Sequence, residues 1–172
     1  MPSQDTQKRN VSFYVLSENK AQDFLGFICQ LTQTALNKSS QSVLILADSE
    51  PLLNEFDSAL WSNEATSFIP HQRLDTASAI DSVVAIKASD NAEDQLLSLA
   101  PVLLGQQIPT DFSGIVINTT SRPVNDYIGA TSNAKVTRML EIIKPDAKSV
   151  EQGRTKYKSY QQLGYELSHF KV

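Results

Sequence analysis

Arg154, Tyr157, Lys158 and Gln161 stand at i, i+3, i+4 and i+7 within "AKSVEQGRTKYKSYQQL". On a helix these positions share one face. Two cations beside an aromatic ring suit an anionic ligand, through charge-assisted hydrogen bonds and packing on the ring. The alternative is a solvated helix face with no ligand. Net charge is −4, yet residues 135–172 hold eight Lys/Arg against four Asp/Glu, and residues 1–134 hold seven against fifteen. A basic end on an acidic body gives anions one local site. Nucleic-acid binding over the whole surface needs clustered positive charge and is not expected.

A second feature is the stretch "ALWSNEATSFIPHQRL", residues 59–74. An amphipathic helix ends near Leu60–Trp61, polar residues follow, and then come Phe68, Ile69, Pro70 and His71. A loop with this much apolar surface is folded into the core, holds a ligand, or docks another protein. Pro70 stiffens it and biases Ile69 to an extended conformation, so docking costs little entropy.

Other chemistry is missing. There is no GxGxxG and no GxxxxGK[ST], and the six glycines form no cluster, so no glycine-rich phosphate cradle is expected. His71 and His169 lie far apart, in no metal-ligand spacing. No GxSxG elbow marks a serine hydrolase. The one cysteine, Cys29, falls in a helical pattern and reads as a small core hydrophobe. It leaves no disulfide within the chain, which suits a reducing cytoplasm. Neither a metal nor a cofactor is expected.

The elements that must position these residues are legible as apolar patterns. The chain has 172 residues, 41% hydrophobic and 20% charged, which fits one globular domain spanning 1–172. No apolar run approaches the roughly 18 residues a membrane span needs. "MPSQDTQKRN" is polar and lacks the apolar stretch of a secretory signal, so residues 1–10 are expected to be a flexible N-terminus. "VSFYVL" (11–16), "SVLILA" (42–47), "PVLLG" (101–105), "GIVIN" (114–118) and "RMLEII" (138–143) read as strands, and the unalternating runs mark strands buried on both faces. "YELSHF" is an edge strand or a tail.

Residues 20–39 form a helix with a stripe of Phe24, Leu25, Ile28, Leu31, Ala35 and Leu36. A second helix opens at "DSEP", capped by Asp48 or Ser49, with a stripe of Leu52, Leu53, Phe56, Ala59 and Leu60. A last helix follows Pro145-Asp146 and stops at Gly164, a natural residue in the left-handed position after a helix. Alternating strands and helices predict an α/β fold: a single Rossmann-like three-layer domain around a mostly parallel sheet. Residues 75–100 fit no clear place and are expected to be an insertion.

Taken together and in this order, "FDSALWSNEATSFIPHQRL" and "GRTKYKSYQQLGYEL", with "VSFYVL", "APVLLG" and "GIVIN", resemble the chi subunit of bacterial DNA polymerase III holoenzyme. The similarity spans most of residues 10–168. It implies a Rossmann-like domain without nucleotide chemistry, in a non-catalytic accessory role. It also implies two partners: the psi subunit, which joins chi to the clamp loader, and the acidic, Phe-ending C-terminal tail of single-stranded DNA-binding protein (SSB). DNA would then be met mainly through SSB.

By the same resemblance, Trp61, Phe68, Ile69 and Pro70 form the psi-binding patch, with His71 at its rim. Arg154, Tyr157 and Lys158 hold the SSB tail, with Gln161 added because it shares their helix face, and Ile143 floors the pocket. The family pattern has a further Lys one turn before the Arg, where this chain has Val150; Lys148 is near in sequence but on another part of the helix. Lys156 is expected to point away and be solvated, and Tyr160 to belong to the core. Two rival functions stay open. One is a small α/β nucleotide-binding enzyme with Ser17, Asp48 and Thr119 at its strand ends. The other is direct single-stranded DNA binding by the basic face.

Overall fold

The run "SVLIL" becomes β2 (Ser42–Leu46), a central strand covered on both sides. Val43 and Ile45 face one core with Ala47, while Leu44 and Leu46 face the other. The two-residue side-chain period sends successive apolar residues to opposite faces, so a strand between two helical layers needs them at every position.

The computed structural model describes residues 9–39, 41–62, 71–74, 101–110, 112–128 and 134–172. The element order is β1 (Asn10–Val15), α1 (Glu18–Gln22), α2 (Phe24–Lys38), β2, α3 (Glu50–Ser62), β3 (His71–Leu74), β4 (Val102–Gly105), β5 (Ser113–Asn118), a 3-10 turn (Val124–Tyr127), β6 (Lys135–Ile143), α4 (Ala147–Gln162) and β7 (Glu166–Lys171). The strands form one sheet in the order β3-β4-β2-β5-β6-β1-β7. Each of its pairings is parallel, so the Rossmann-like expectation holds.

Helices α2 and α3 cover one face through Phe27, Ile28, Leu31, Leu53, Phe56 and Leu60. On the other face Tyr160 of α4 packs with Val11, Phe13, Val116 and Met139.

Three details differ from the sequence reading. The first helix is two: α1 ends and α2 begins around Asp23, whose φ of −110° and ψ of 51° are not helical. The Asp23 carboxylate folds over Gly26, where an added Cβ would meet its Oδ2 at 2.4 Å. Short acidic side chains compete with the helical backbone in this way. Asn10, counted in the expected flexible N-terminus, is instead the first residue of β1; residues 1–8 lie outside the described residues. Finally, "HQRL" is a strand rather than loop, pairing with β4 at the sheet edge. Four polar-rich residues show no alternation, so only the pairing reveals it. "YELSHF" resolves as edge strand β7, paired with β1. The expected insertion, 75–100, lies outside the described residues.

Ser49 caps α3, accepting from the Leu52 amide at 3.4 Å. Asp48 instead reaches the 3-10 region, accepting from the Ser121 amide (3.1 Å) and the Tyr127 hydroxyl (3.2 Å).

Candidate protein-interaction sites

Helix α4 is held at both ends. Asp146 caps the start: its Oδ2 accepts from the Ser149 amide at 2.9 Å and its Oδ1 from the Ser149 hydroxyl at 2.8 Å. The Ser149 amide, with help from its hydroxyl, holds the Asp146 carboxyl below its ordinary pKa. At the other end Gly164 has φ +78°, and the Tyr165 amide returns to the Tyr160 carbonyl at 3.2 Å. This left-handed stop is the one expected from the sequence.

Between these ends the helix has three sides. Its underside presses Gly153 on Ile143, so closely that an added Cβ would meet Ile143 Cδ1 at 2.6 Å. Ile143 is therefore buried beneath the helix, 6% exposed. It also lines a cleft of about 100 Å³ shared with Phe24, Thr120, Lys144, Ser149 and Lys156.

The flank toward β1 and β7 carries the predicted face. The Tyr157 ring is half-buried, with its centroid 5.7 Å from Phe13 and 5.2 Å from His169. Arg154, Lys158 and Gln161 are exposed around it. Among the described residues, neither Arg154 nor Lys158 enters an ion pair. Val150 is half-buried against the core on this side, and Lys148 is exposed. Two residues apart on a helix, Lys148 and Val150 point to nearly opposite sides, so Lys148 does not share the position where the family pattern has its extra Lys.

The opposite flank overturns one expectation. Lys156 is not solvated: it is 2% exposed. It does point away from Arg154, but that side of α4 is covered by the chain leaving β5. Lys156 Nζ donates to the Thr120 carbonyl at 2.5 Å and to Glu141 Oε1 at 2.9 Å. Glu141 Oε2 accepts from the Tyr160 hydroxyl and, at 2.8 Å, from Asn118 Nδ2. The Tyr160 hydroxyl accepts from the Val124 amide at 2.8 Å. Asn118 Oδ1 takes the Thr120 amide (3.0 Å) and hydroxyl (2.7 Å). Tyr160 is fully buried, as expected of a core residue. Both ions are thus paired and hydrogen-bonded, the condition under which burying charge is tolerated. The signals in the sequence were Glu141 inside "RMLEII" and Asn118 closing "GIVIN": a charge and an amide within buried strands require partners.

The second candidate patch starts at Trp61, on the last turn of α3 and 64% exposed. Its ring meets His71 edge-on, with centroids 5.5 Å apart. His71 does not stand at a rim. Its side chain is 1% exposed and bonds Asp57 Oδ1 through Nε2 at 2.7 Å. Arg73, two residues on, reaches Asn54 and Glu50 of α3. The α3–β3 corner beneath Trp61 is therefore tied by polar contacts. Phe68, Ile69 and Pro70 lie outside the described residues.

The strand-end residues of the nucleotide-enzyme alternative are engaged locally. Ser17 caps α1, accepting from the Lys20 amide. Thr119 donates to the Leu46 carbonyl at 2.7 Å, and Asp48 is held as above. Among the described residues no cluster of three His, Cys, Asp or Glu could hold a metal, and no helix is long and apolar enough to cross a membrane.

Residues 9–168 match the family model described as DNA polymerase III chi subunit, HolC. The chain belongs to the chi subunit family. Membership makes it an accessory subunit in the DNA polymerase III complex and in DNA replication. None of the curated proteins matches it.

Among solved structures, an S. cerevisiae Dbp5 variant bound to a Gle1 variant and IP6 is similar with a TM-score of 0.57 and 13% identity, over 100% of this chain and 43% of that one. That likeness concerns the fold alone. The C-terminal part of the Fun30 ATPase domain gives a TM-score of 0.48 at 14% identity, over 74% of this chain and 43% of that one. The matched region covers 43% of each of these solved chains, less than half their length.

Proposed function

We propose that this chain is a non-catalytic linker. It binds psi through the Trp61 end of α3 and the "SFIP" residues that follow, and it binds the acidic SSB tail through Arg154, Tyr157, Lys158 and Gln161. The observation that carries the reading is the β7-side flank of α4. There two exposed cations bracket an aromatic ring whose inner side is fixed by Phe13. A rigid ring and charges without carboxylate partners among the described residues meet an anionic peptide at small entropic cost. Trp61 supports the psi reading, since an exposed Trp forgoes about 1.5–3 kcal/mol of burial, and Trp is enriched among interface anchors.

Titration calorimetry with a synthetic acidic peptide ending in Phe tests the first half. Binding in the micromolar range, about −8 kcal/mol, is expected. Arg154→Ala should weaken it strongly and Lys158→Ala less, while Lys148→Ala, exposed on another part of the helix, should leave it unchanged. If Lys148→Ala weakens the peptide as much as Arg154→Ala, attraction is diffuse and the site is wrong. Co-purification of psi with Trp61→Ala tests the second half. Undiminished psi binding to a folded variant would sink it.

A further inference from the structure

Strand β7 ends the sheet, with β1 on one side and no strand among the described residues on the other. Its ladder shows which backbone groups are used. The Glu166 amide donates to Arg9 O and the Val172 amide to Val15 O, both at 3.0 Å, and Val172 O accepts from Ser17 N at 2.8 Å. The even-numbered residues therefore bond inward. By the two-residue alternation of a strand, the N–H and C=O groups of Leu167, His169 and Lys171 point outward. Edge strands of folded proteins are commonly short, kinked, covered, interrupted by Pro or flanked by charge, and charge, at Glu166 and Lys171, is what β7 carries. This one is six residues long and contains no Pro.

Side chains on the same margin have a matching placement. Leu167 packs in the α4-side core, and His169 stacks on Phe13 at 5.3 Å and meets Tyr157 at 5.2 Å. Lys171 follows on the same face of the strand. The outward backbone of β7 thus runs beside the flank that bears Arg154, Tyr157 and Lys158.

We infer that an acidic peptide adds to β7 as an extended eighth strand, bonding the outward groups of Leu167, His169 and Lys171 while its side chains meet the α4 flank. Strand addition of this kind gives affinity through the main chain and specificity through alternate side chains. Charge selects the occupant. A second copy of β7, paired about a two-fold axis, would bring the Arg154 and Lys158 flanks toward one another. The N-terminal segment "MPSQDTQK" has one Asp and one Lys and offers no complement. An acidic strand complements Arg154, Lys158 and Lys171. The inference rests on the tail-binding reading and adds to it the way the peptide is held.

Amide hydrogen exchange, followed by NMR on the full chain with and without a synthetic acidic peptide ending in Phe, tests it. Exchange at Leu167, His169 and Lys171 should slow roughly tenfold or more at saturation, while Ser168 and Phe170, already bonded to β1, change little. Lys171→Pro removes an outward N–H without touching the inward ladder. It should weaken the peptide roughly tenfold beyond Lys171→Ala, the worth of one hydrogen bond. Peptide that binds normally without slowing these amides, or equal effects of the Pro and Ala variants, would overturn the inference and leave the tail reading standing. Absence of any binding overturns both. Protection without peptide also overturns it. If that protection grows with protein concentration the edge pairs with a second copy, and if it persists on dilution the chain covers its own edge.

Discussion

Nζ of Lys156 lies 2.9 Å from Oε1 of Glu141, and both residues are at most 2% exposed. The pair ties α4 to β6 directly beneath the helix that carries Arg154 and Tyr157. Removing one partner strands a buried charge. Lys156→Ala is expected to cost about 3–5 kcal/mol of stability. Replacing both ions with apolar residues of similar volume strands no charge and should cost less, although it takes their shared acceptor from the Tyr160 hydroxyl and Asn118 Nδ2. Urea unfolding of Lys156→Ala and of the double variant Lys156→Met with Glu141→Leu decides this. Equal losses in both would show that the pair's burial is not what matters.

The Tyr160 hydroxyl shares the same carboxylate. Burial, followed by the Glu141 charge, pushes its phenol well above the ordinary value. A tyrosine whose folded pKa is raised binds its proton more tightly folded than unfolded. Its stabilisation is complete below about pH 10, the unfolded value, and declines as pH rises above it. Tyr127, pushed up chiefly by burial, adds to the same slope. Unfolding free energy should therefore fall from about pH 10 upward. Tyr160→Phe should lose about 1–3 kcal/mol at pH 7 and show a shallower alkaline decline, read from urea titrations at both pH values.

Gly114 has φ +151°, and a Cβ there would lie 2.2 Å from the Ser42 carbonyl oxygen on β2. The obstacle is backbone, so it cannot rotate aside. Backbone strain alone is worth about 1–3 kcal/mol, and the clash adds to it. Gly114→Ala should lower the melting temperature clearly. A melt unchanged within error would mean that the β5 backbone shifts freely.

Cys29 is 2% exposed, and burial, with a smaller contribution from Asp23, pushes its thiol up to about 11. Thiolate is the reactive form. Ellman's reagent at pH 8 should leave the native chain unmodified and label one thiol after unfolding. Rapid labelling of the native chain would contradict the packing of α2.

Much of this architecture was legible because apolar runs such as "SVLIL" and "GIVIN" have one physical explanation: strands covered on both faces. The α4 face was legible for a similar reason, since Arg154, Tyr157, Lys158 and Gln161 sit at helical spacing. What the spacing does not contain is what lies across from a residue. Lys156 looked solvated because its partner Glu141 stands 15 positions away, and Glu141 in turn meets Asn118 at a separation of 23. The burial of His71 depends on Asp57 and on a pairing with β4 that its polar neighbours do not announce. Ile143 was expected at the pocket floor by family likeness alone, and the close seat of Gly153 on it, which no spacing announces, puts it under the helix in the cluster that Tyr157 packs against.

The order of strands has a mechanical consequence. Trp61 lies by β3 and Tyr157 by β7, at opposite margins of a seven-stranded sheet, roughly 29 Å apart at 4.8 Å per strand. Partners held at both margins would pull across the strands, not along them. Tension would then fall on the inter-strand hydrogen bonds in opening mode, with the ladders in series, so the weakest ladder would yield first. The shortest ladders are β3 on β4 and β4 on β2, four residues each, and both lie on the Trp61 side of the sheet. Under load, such a link would give way at the Trp61 end while the α4 end stayed folded.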